Sequence, residues 1–229
     1  MPVNLTISDS LRNTAYDSVD GKSDHSDAEP CSGNYSDSSR LTQRDTEPFR
    51  QLERQYVDLF SSREIQEVDE SQLPNIQGKK IKSVDLDECE VINTSRDGFD
   101  WIGTQGLSTC IGICARGMTG QNEIILGVSH YTGIDKEPAE ALQELRNKMD
   151  AQGARCSKMY LIGGAMSADP QLSTAEKERI MLSLRHEFNI QGVRLHPNIC
   201  EDINADDHVN LLMTPDHIYF STEGLFDSD

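Results

Sequence analysis

The stretch TQGLSTCIGICARG, residues 104–117, places a cysteine directly after a run of Gly, Ser and Thr. Small and hydroxyl-bearing residues there indicate a tight turn, and the apolar run Ile111–Ala115 that follows indicates a strand. A turn at the head of a strand exposes a side chain and leaves backbone N–H groups unpaired, which suits a nucleophilic Cys110. The same letters also fit a buried strand that contains two cysteines, Cys110 and Cys114, so the rest of the sequence must decide.

Short apolar runs bounded by turn signals continue on both sides of this stretch. Two segments between them have helical periodicity: Glu137–Gln152, whose apolar face includes Leu145, and Thr174–Phe188, where Ser173 and Glu176 have capping-box spacing. Bursts of strands with two interposed helices predict an α+β fold, a layered sandwich with a mixed β-sheet core flanked by helices. The predicted strands are Cys89–Ile92, Trp101–Gly103, Ile111–Ala115, Glu123–His130, Lys158–Met166, Val193–Leu195, Val209–Met213 and His217–Ser221.

The composition changes sharply along the chain. Residues 1–47 are rich in Ser and Asp and contain few large apolar residues, so we expect a disordered leader. Residues 48–78 contain an amphipathic stretch, Phe49–Leu59, and a linker, and we expect the folded domain to span residues 79–229. The amphipathic stretch fits either a helix that packs on the domain or a docking segment for a partner or a secretion chaperone.

The chain carries a formal net charge of −18 at pH 7 over 229 residues. Nucleic acids and anionic membranes attract an excess of Lys and Arg, so both kinds of partner are disfavoured. No apolar run approaches the length of a membrane span, and no charged-then-apolar leader opens the sequence. The six cysteines are scattered without a C-x-x-C pair, which argues against a zinc site and favours reduced thiols. We expect a soluble protein that needs no metal and no organic cofactor.

Several segments resemble the CheD family, bacterial protein-glutamine deamidases whose fold is shared with the cytotoxic necrotizing factor toxins. One is the run T-x-G-L-x-x-C-x-G, residues 104–112, followed by His130 at the end of a strand. Another is YLIGGAM, residues 160–166, and the order of elements from the first helix to the closing hairpin also agrees. The resemblance covers roughly residues 79–220 and implies a CheD-like sandwich with a cysteine nucleophile.

The sequence also departs from the pattern of that family. Ser108 and Thr109 stand where a glycine and a serine are usual, and the segment from the cysteine to the histidine is a few residues longer. The segment NICEDINADDHVN, residues 198–210, replaces a glycine- and arginine-containing segment of the chemotaxis members. With the Ser- and Asp-rich leader, this implies a type III effector similar to the HopAF and AvrXv group of plant pathogens. Such a protein would leave the bacterial cytoplasm for the host cell and act there, as a monomer, on a host protein.

The chemistry of amide hydrolysis assigns roles to the residues of the motif. Cys110 would attack the carboxamide carbon, and His130 would take the thiol proton, so the sequence predicts a thiolate–imidazolium pair. Thr104 would orient the imidazole ring, as the third member of a triad does. The backbone N–H groups of Thr109 and Cys110 would bind the oxyanion.

Other readings of the sequence remain open. The protein could be a catalytically silent CheD-like module that binds a partner, or a related cysteine hydrolase that uses the same two residues. Cys114 fits a core position, and the pair Gly163 and Gly164 fits a sharp turn that borders the site. The remaining histidines lack a cysteine turn nearby, and we expect structural roles for His186, His196, His208 and His217.

Overall fold

This computed structural model describes residues 41–69, 72, 75–199 and 208–226 of the chain. These residues contain ten strands and four helices, joined by turns and loops. The helices are α1 (Gln43–Gln55), α2 (Val57–Phe60), α3 (Pro138–Ala151) and α4 (Ala175–Ser183). The strands are β1 (Ile65–Glu67), β2 (Ile81–Ser83), β3 (Cys89–Asn93), β4 (Trp101–Leu107), β5 (Ile111–Met118), β6 (Ile124–Tyr131), β7 (Arg155–Met166), β8 (Ile190–Ile199), β9 (Val209–Met213) and β10 (Ile218–Ser221).

The strands form two five-stranded sheets of mixed direction. The first sheet has the order β1-β10-β9-β4-β2, with β1 parallel to β10 and β2 parallel to β4. The second has the order β3-β6-β5-β7-β8, in which only β7 and β8 run parallel. The predicted α+β class with a mixed-sheet core is therefore confirmed.

Alternation along β5 explains how the layers pack. Ile111 and Ile113 point to one face of the second sheet, where the helices cover them in a single apolar core. Cys114 points to the other face, where it joins a core that includes Leu211 of the first sheet. Because successive side chains of a strand point to opposite faces, a strand buried on both sides must be apolar throughout, as residues 111–115 are.

The folded domain begins earlier than the expected boundary at Lys79. Thr42 caps α1 with a capping box, and the apolar side chains of Phe49 and Leu52 are buried against the domain. Burial of each contributes roughly 1.5–3 kcal/mol, so this helix is part of the fold. Strand β1 follows and pairs with β10, Ile65 opposite Ile218.

These contacts bear on three expectations for the N-terminal third of the chain. The amphipathic stretch lies in α1 and α2, and its apolar side chains Phe49, Leu52 and Leu59 are buried, which disfavours the docking-segment reading. A proline just before the amphipathic stretch predicts a helix that starts at Pro48, but Pro48 lies inside α1, which begins at Gln43. The expected disordered leader, residues 1–47, lies outside the described residues up to residue 40, and its last residues, from 43 onward, belong to α1.

Of the two helices predicted in the domain, one agrees closely with the structure and the other is shorter than predicted. Helix α3 matches the prediction to within a residue, with Glu137 as its N-cap and its apolar face buried. Helix α4 ends at Ser183, five residues before the predicted end, and Thr174, not Ser173, is its N-cap. The Thr174 hydroxyl makes hydrogen bonds to Ala165 and Glu178, so the expected capping by Ser173 is wrong.

Two further features agree with the composition. Cys89, Cys110, Cys114 and Cys156 are free thiols, while Cys31 and Cys200 lie outside the described residues. In the part of the chain that the structure describes, no helix is both long and apolar enough to cross a membrane.

Candidate active site

A β-bulge leads β4 into the turn that carries Cys110. Thr104 lies opposite Leu211 and Leu107 lies opposite Val209, so three steps along β4 match two along β9 and one residue is extra. The bulge keeps both Thr104 and Leu107 buried. The pairing with β9 resumes at Leu107 and ends there, and the chain then turns before β5 begins.

Two buried asparagine side chains hold this turn. Asn198 donates from Nδ2 to the carbonyls of Leu107 and Ser108, at 2.9 and 3.1 Å. Asn210 accepts the N–H of Gly106 at 2.9 Å. Since the turn has few backbone partners of its own, these side chains supply the hydrogen bonds that a strand ladder would otherwise provide.

A glycine bend in β7 supports the backbone of Cys110 from behind. Gly164 donates its N–H to the Cys110 carbonyl at 2.7 Å. Gly163 has a φ of +102°, and a Cβ atom there would lie 2.7 Å from the same carbonyl oxygen. Only glycine combines this backbone conformation with so close an approach, so the pair borders the site as well as making a turn.

His130 lies on the neighbouring strand, close to Cys110. It is paired with Gly112 across β5 and β6, and Cys110 comes two residues before Gly112 on the same face. Diagonal neighbours of this kind have Cβ atoms about 7 Å apart, within reach of an imidazole. The side chains of Cys110 and His130 are both buried, at 9% and 3% relative exposure, between the two sheets.

Thr104 fixes the tautomer of this imidazole from the opposite sheet. Its hydroxyl oxygen lies 2.7 Å from the Val84 carbonyl and 2.7 Å from Nδ1 of His130. A carbonyl can only accept, so the hydroxyl donates to Val84 and accepts the proton of Nδ1–H. The lone pair of the ring is then on Nε2, which is buried and has no hydrogen-bond partner among the described residues.

The protonation of the pair differs from the sequence prediction. Burial raises the pKa of the Cys110 thiol to about 11, and burial lowers the pKa of His130. Both shifts favour uncharged forms at neutral pH, so the resting site holds a thiol and a neutral imidazole. These shifts disfavour the predicted thiolate–imidazolium pair in the free protein, because burial in the sandwich interior disfavours both charges.

Two charged side chains near the site act in opposite directions on the thiol. Lys177 of α4 lowers the pKa of Cys110 and Asp87 raises it, while Asp87 also raises that of His130. Lys177 donates to the Thr132 carbonyl at 3.0 Å, and the Thr132 hydroxyl donates to Asp87. A cation and an anion thus stand on the same flank of the site.

The predicted oxyanion donors have the right surroundings. Thr109 is half-buried, and Cys110 follows it at the head of β5. Among the described residues, neither the N–H of Thr109 nor that of Cys110 has a hydrogen-bond acceptor. Two such donors on a fixed turn could bind a developing oxyanion.

The structure thus joins Thr104 and His130 by a hydrogen bond and places Cys110 one diagonal step from His130, without a hydrogen bond between the thiol and Nε2. It places Cys114 in the core, fully buried, where burial raises its thiol pKa far above the ordinary value. Sequence reasoning did not find Asn198, Asn210 and Lys177, since a single asparagine in a strand and a lysine on a helix carry no distinctive signal.

Comparisons with other proteins leave the family undecided. No model of a known protein family matches the chain, and no curated protein is significantly similar to it. The likeness to CheD proteins stays a prediction, and function has to follow from the chemistry of the site.

Proposed function

We propose that the protein is a cysteine-dependent protein-glutamine deamidase, which converts a glutamine side chain of another protein to glutamate and releases ammonia. The observation that carries the proposal is the buried Thr104–His130 hydrogen bond, which leaves an unpartnered Nε2 lone pair on a histidine one diagonal step from Cys110. A buried acceptor without a partner costs free energy, and such groups concentrate where a substrate or a proton is received. The CheD-like motif supplies the reaction class.

The first half of the reaction forms a thioester. As the Cys110 sulfur attacks the carboxamide carbon, its proton moves to Nε2 of His130, and the N–H groups of Thr109 and Cys110 bind the oxyanion. The imidazolium then donates its proton to the departing nitrogen, and ammonia leaves as the C–N bond breaks. Because the resting pair is neutral, charge forms only during attack, while Thr104 stabilises the protonated ring by accepting from Nδ1.

The second half returns the enzyme to its starting state. Neutral His130 takes a proton from water, and the resulting hydroxide attacks the thioester carbon. The oxyanion occupies the same pair of N–H groups, and the sulfur leaves with the proton from the imidazolium. The products are a glutamate side chain and the free thiol, so no redox cofactor enters the balance.

Mass spectrometry can test this proposal directly. Host-cell protein extract incubated with the wild-type chain should contain glutamines converted to glutamate that are absent with Cys110→Ser or His130→Ala. Cys156→Ser is the matched control, because Cys156 is a free, exposed cysteine at the start of β7 and should retain full activity. Isotope-labelled water would enter the new carboxylate and exclude spontaneous change during handling.

Other outcomes favour the alternatives. Thioester or amide cleavage that depends on Cys110 without any conversion of glutamine would indicate a related cysteine hydrolase. Stable capture of a partner that is unaffected by Cys110→Ser, with no turnover, would indicate a binding module. Either result would overturn the deamidase proposal.

Delivery into a host cell by a type III system, with help from a chaperone, stays a prediction based on the composition of the leader. Because α1 begins at Gln43, a fusion of residues 1–41 to a reporter keeps the folded part out of the test. Export of the fusion by type III-competent cells, and not by a secretion-deficient strain, would support delivery. Retention in both strains would contradict it.

A further inference from the structure

A chain of buried polar contacts lies directly behind the Gly163–Gly164 bend. A Cβ atom on Gly164 would lie 2.7 Å from Glu178 Oε1 and 2.8 Å from Thr174 Oγ1, so the bend is packed against these two oxygen atoms. The Thr174 oxygen accepts the N–H of Ala165 at 2.9 Å and lies 2.6 Å from Glu178 Oε1. The N–H of Gly164 in turn holds the Cys110 carbonyl.

The chain continues from Glu178 to the N-terminal helix. Glu178 is fully buried, and its Oε2 lies 2.8 Å from Nδ1 of His196. Nε2 of His196 lies 3.1 Å from Glu53 Oε1 on α1. The rings of Phe49 and Phe60 pack beside the imidazole. Each polar side-chain atom of Glu178 and His196 therefore has a hydrogen-bond partner.

Both nitrogens of His196 face carboxylates, which settles the charge of the ring. A neutral imidazole carries one N–H and would point a lone pair at either Glu53 or Glu178, so both nitrogens must donate. Burial alone would lower the pKa of His196, but the hydrogen bonds that the ring donates to Glu178 and Glu53 outweigh burial and hold that pKa above its usual value. His196 also has a φ of +45°, a left-handed conformation uncommon for residues other than glycine.

We infer that Glu178 and His196 are positioning residues, which fix the Gly163–Gly164 bend and through it the backbone of Cys110. A buried ion pair is often no more stabilising than apolar side chains of the same volume, so its distinctive effect is to fix geometry. Here the geometry that it fixes is the bend that touches the nucleophile's carbonyl. Glu53, on the surface of α1, accepts the second hydrogen bond of His196. The packing of α1 on the domain therefore affects the position of the Cys110 backbone. The inference rests on the proposed function only in taking Cys110 as the nucleophile.

The coupling can be measured in the full chain by NMR without any turnover. The amide signal of Gly164 should titrate with the same midpoint as the ring of His196, above the ordinary histidine value. His196→Gln should abolish that titration, whereas His186→Gln, a change at an exposed histidine, should leave it intact. Glu53→Gln removes one carboxylate at the surface and should move the midpoint to lower pH. A Gly164 signal that is indifferent to His196→Gln would overturn the inference.

A kinetic measurement separates positioning from a general loss of stability. Glu178→Gln keeps the size and the hydrogen-bonding oxygen and should lower kcat by up to about 100-fold with little change in KM, as misplacement of a reacting group does. A rise in KM as large as the fall in kcat, or full activity in a folded Glu178→Gln protein, would contradict the inference. If Glu178→Gln does not fold, Glu53→Gln decides the matter through the shift of the Gly164 midpoint. Should no turnover be found in the wild type, the NMR result still stands by itself.

Discussion

The hydroxyl of Thr104 lies 2.7 Å from Nδ1 of His130, and this hydrogen bond joins a strand of one sheet to a strand of the other. Thr104 is fully buried, so no water can replace the bond. The orientation of the imidazole therefore depends on how the two sheets pack against each other.

Replacement of Thr104 by Val keeps the shape of the side chain and removes the hydroxyl. The Val84 carbonyl and Nδ1–H of His130 would both lose their partner, so we expect a loss of about 1–3 kcal/mol in the free energy of unfolding. We also expect kcat to fall about 10- to 100-fold, less than the ~10⁴-fold loss that follows removal of a buried Asp partner in a serine protease. Thr104→Ser, which keeps the hydroxyl, should retain most of the stability and most of the kcat of the wild type. Denaturant unfolding and ammonia release measure the two effects, and a wild-type kcat in Thr104→Val would contradict the orienting role.

The rate at which iodoacetamide alkylates Cys110 should report on its charged neighbours. With a pKa of about 11, the thiol should react slowly at pH 7 and progressively faster as the pH rises, whereas buried Cys114 should stay unlabelled in the folded protein. Lys177→Met removes a cation, raises the thiol pKa further and should slow the reaction about two- to fivefold, the effect of a fraction of a pKa unit. Lys158→Met, at an exposed lysine paired with Glu64, is the control. Equal rates in the two lysine variants would show that Lys177 does not act on the thiol.

The stability of the protein should depend on pH through His196. Its pKa is raised in the folded state, so its stabilising effect is complete below about pH 6.5, its ordinary value, and is lost as the pH rises through the folded pKa. His196→Gln should remove this decline from the pH profile of the free energy of unfolding. Urea unfolding from pH 6 to pH 9 measures it. A profile that is the same in wild type and His196→Gln would mean that the imidazolium makes no net contribution.

Gly163→Ala and Gly153→Ala form a matched pair of substitutions. Both glycines have positive φ, +102° and +77°, but a Cβ atom at Gly153 meets nothing within 4 Å, whereas one at Gly163 meets the Cys110 carbonyl at 2.7 Å. Gly153→Ala should cost about 1 kcal/mol of stability from backbone strain and leave activity intact. Gly163→Ala should cost more and also displace Cys110. Equal activity of the two variants would show that the bend does not place the nucleophile.

Removal of the Asn198 side chain should loosen the turn that precedes Cys110. Asn198→Ala leaves the carbonyls of Leu107 and Ser108 without their donor, so we expect a loss of about 1–3 kcal/mol and a lower kcat. Asn147→Ala on the exposed side of α3 loses only a surface hydrogen bond and should be nearly neutral. Comparison of thermal unfolding and turnover for the two variants checks this. An unchanged kcat in Asn198→Ala would mean that the turn holds its shape without the asparagine.

Much of the architecture follows from local patterns in the sequence. Strand β9 has the predicted bounds, Val209–Met213, because a short run with four apolar residues out of five between turn signals admits few alternatives. Helix α3 was predictable because its apolar face, a cap and a closing glycine at position 153 all agree. The packing of α1 on the domain was not, since an amphipathic helix has the same sequence whether its partner is its own domain or another protein.

The candidate site, like the fold, could be predicted from the sequence only in part. The resemblance to the CheD motif singles out Cys110, His130 and Thr104, whereas their protonation could not be predicted, because it depends on burial between two sheets. Thr104 was predicted as part of a turn and lies in β4, where the bulge preserves its inward direction. The contributions of Asn198 and Asn210 arise from contacts about 90 and 104 residues apart along the chain, beyond the reach of any local pattern.

The long separation between Gly106 and Asn210 has a consequence for the protein while it is being made. The turn that carries Cys110 is held by a residue that leaves the ribosome about 100 residues later, and β4 finds its neighbour β9 only then. A nascent chain released before residue 210 contains Cys110 and His130 but lacks strand β9, which pairs with β4 at Thr104. Long-range pairings of this kind form late in folding. Translation products that end before residue 210 should therefore be inactive, and the turn that carries Cys110 takes its final arrangement only after Asn210 has been synthesised.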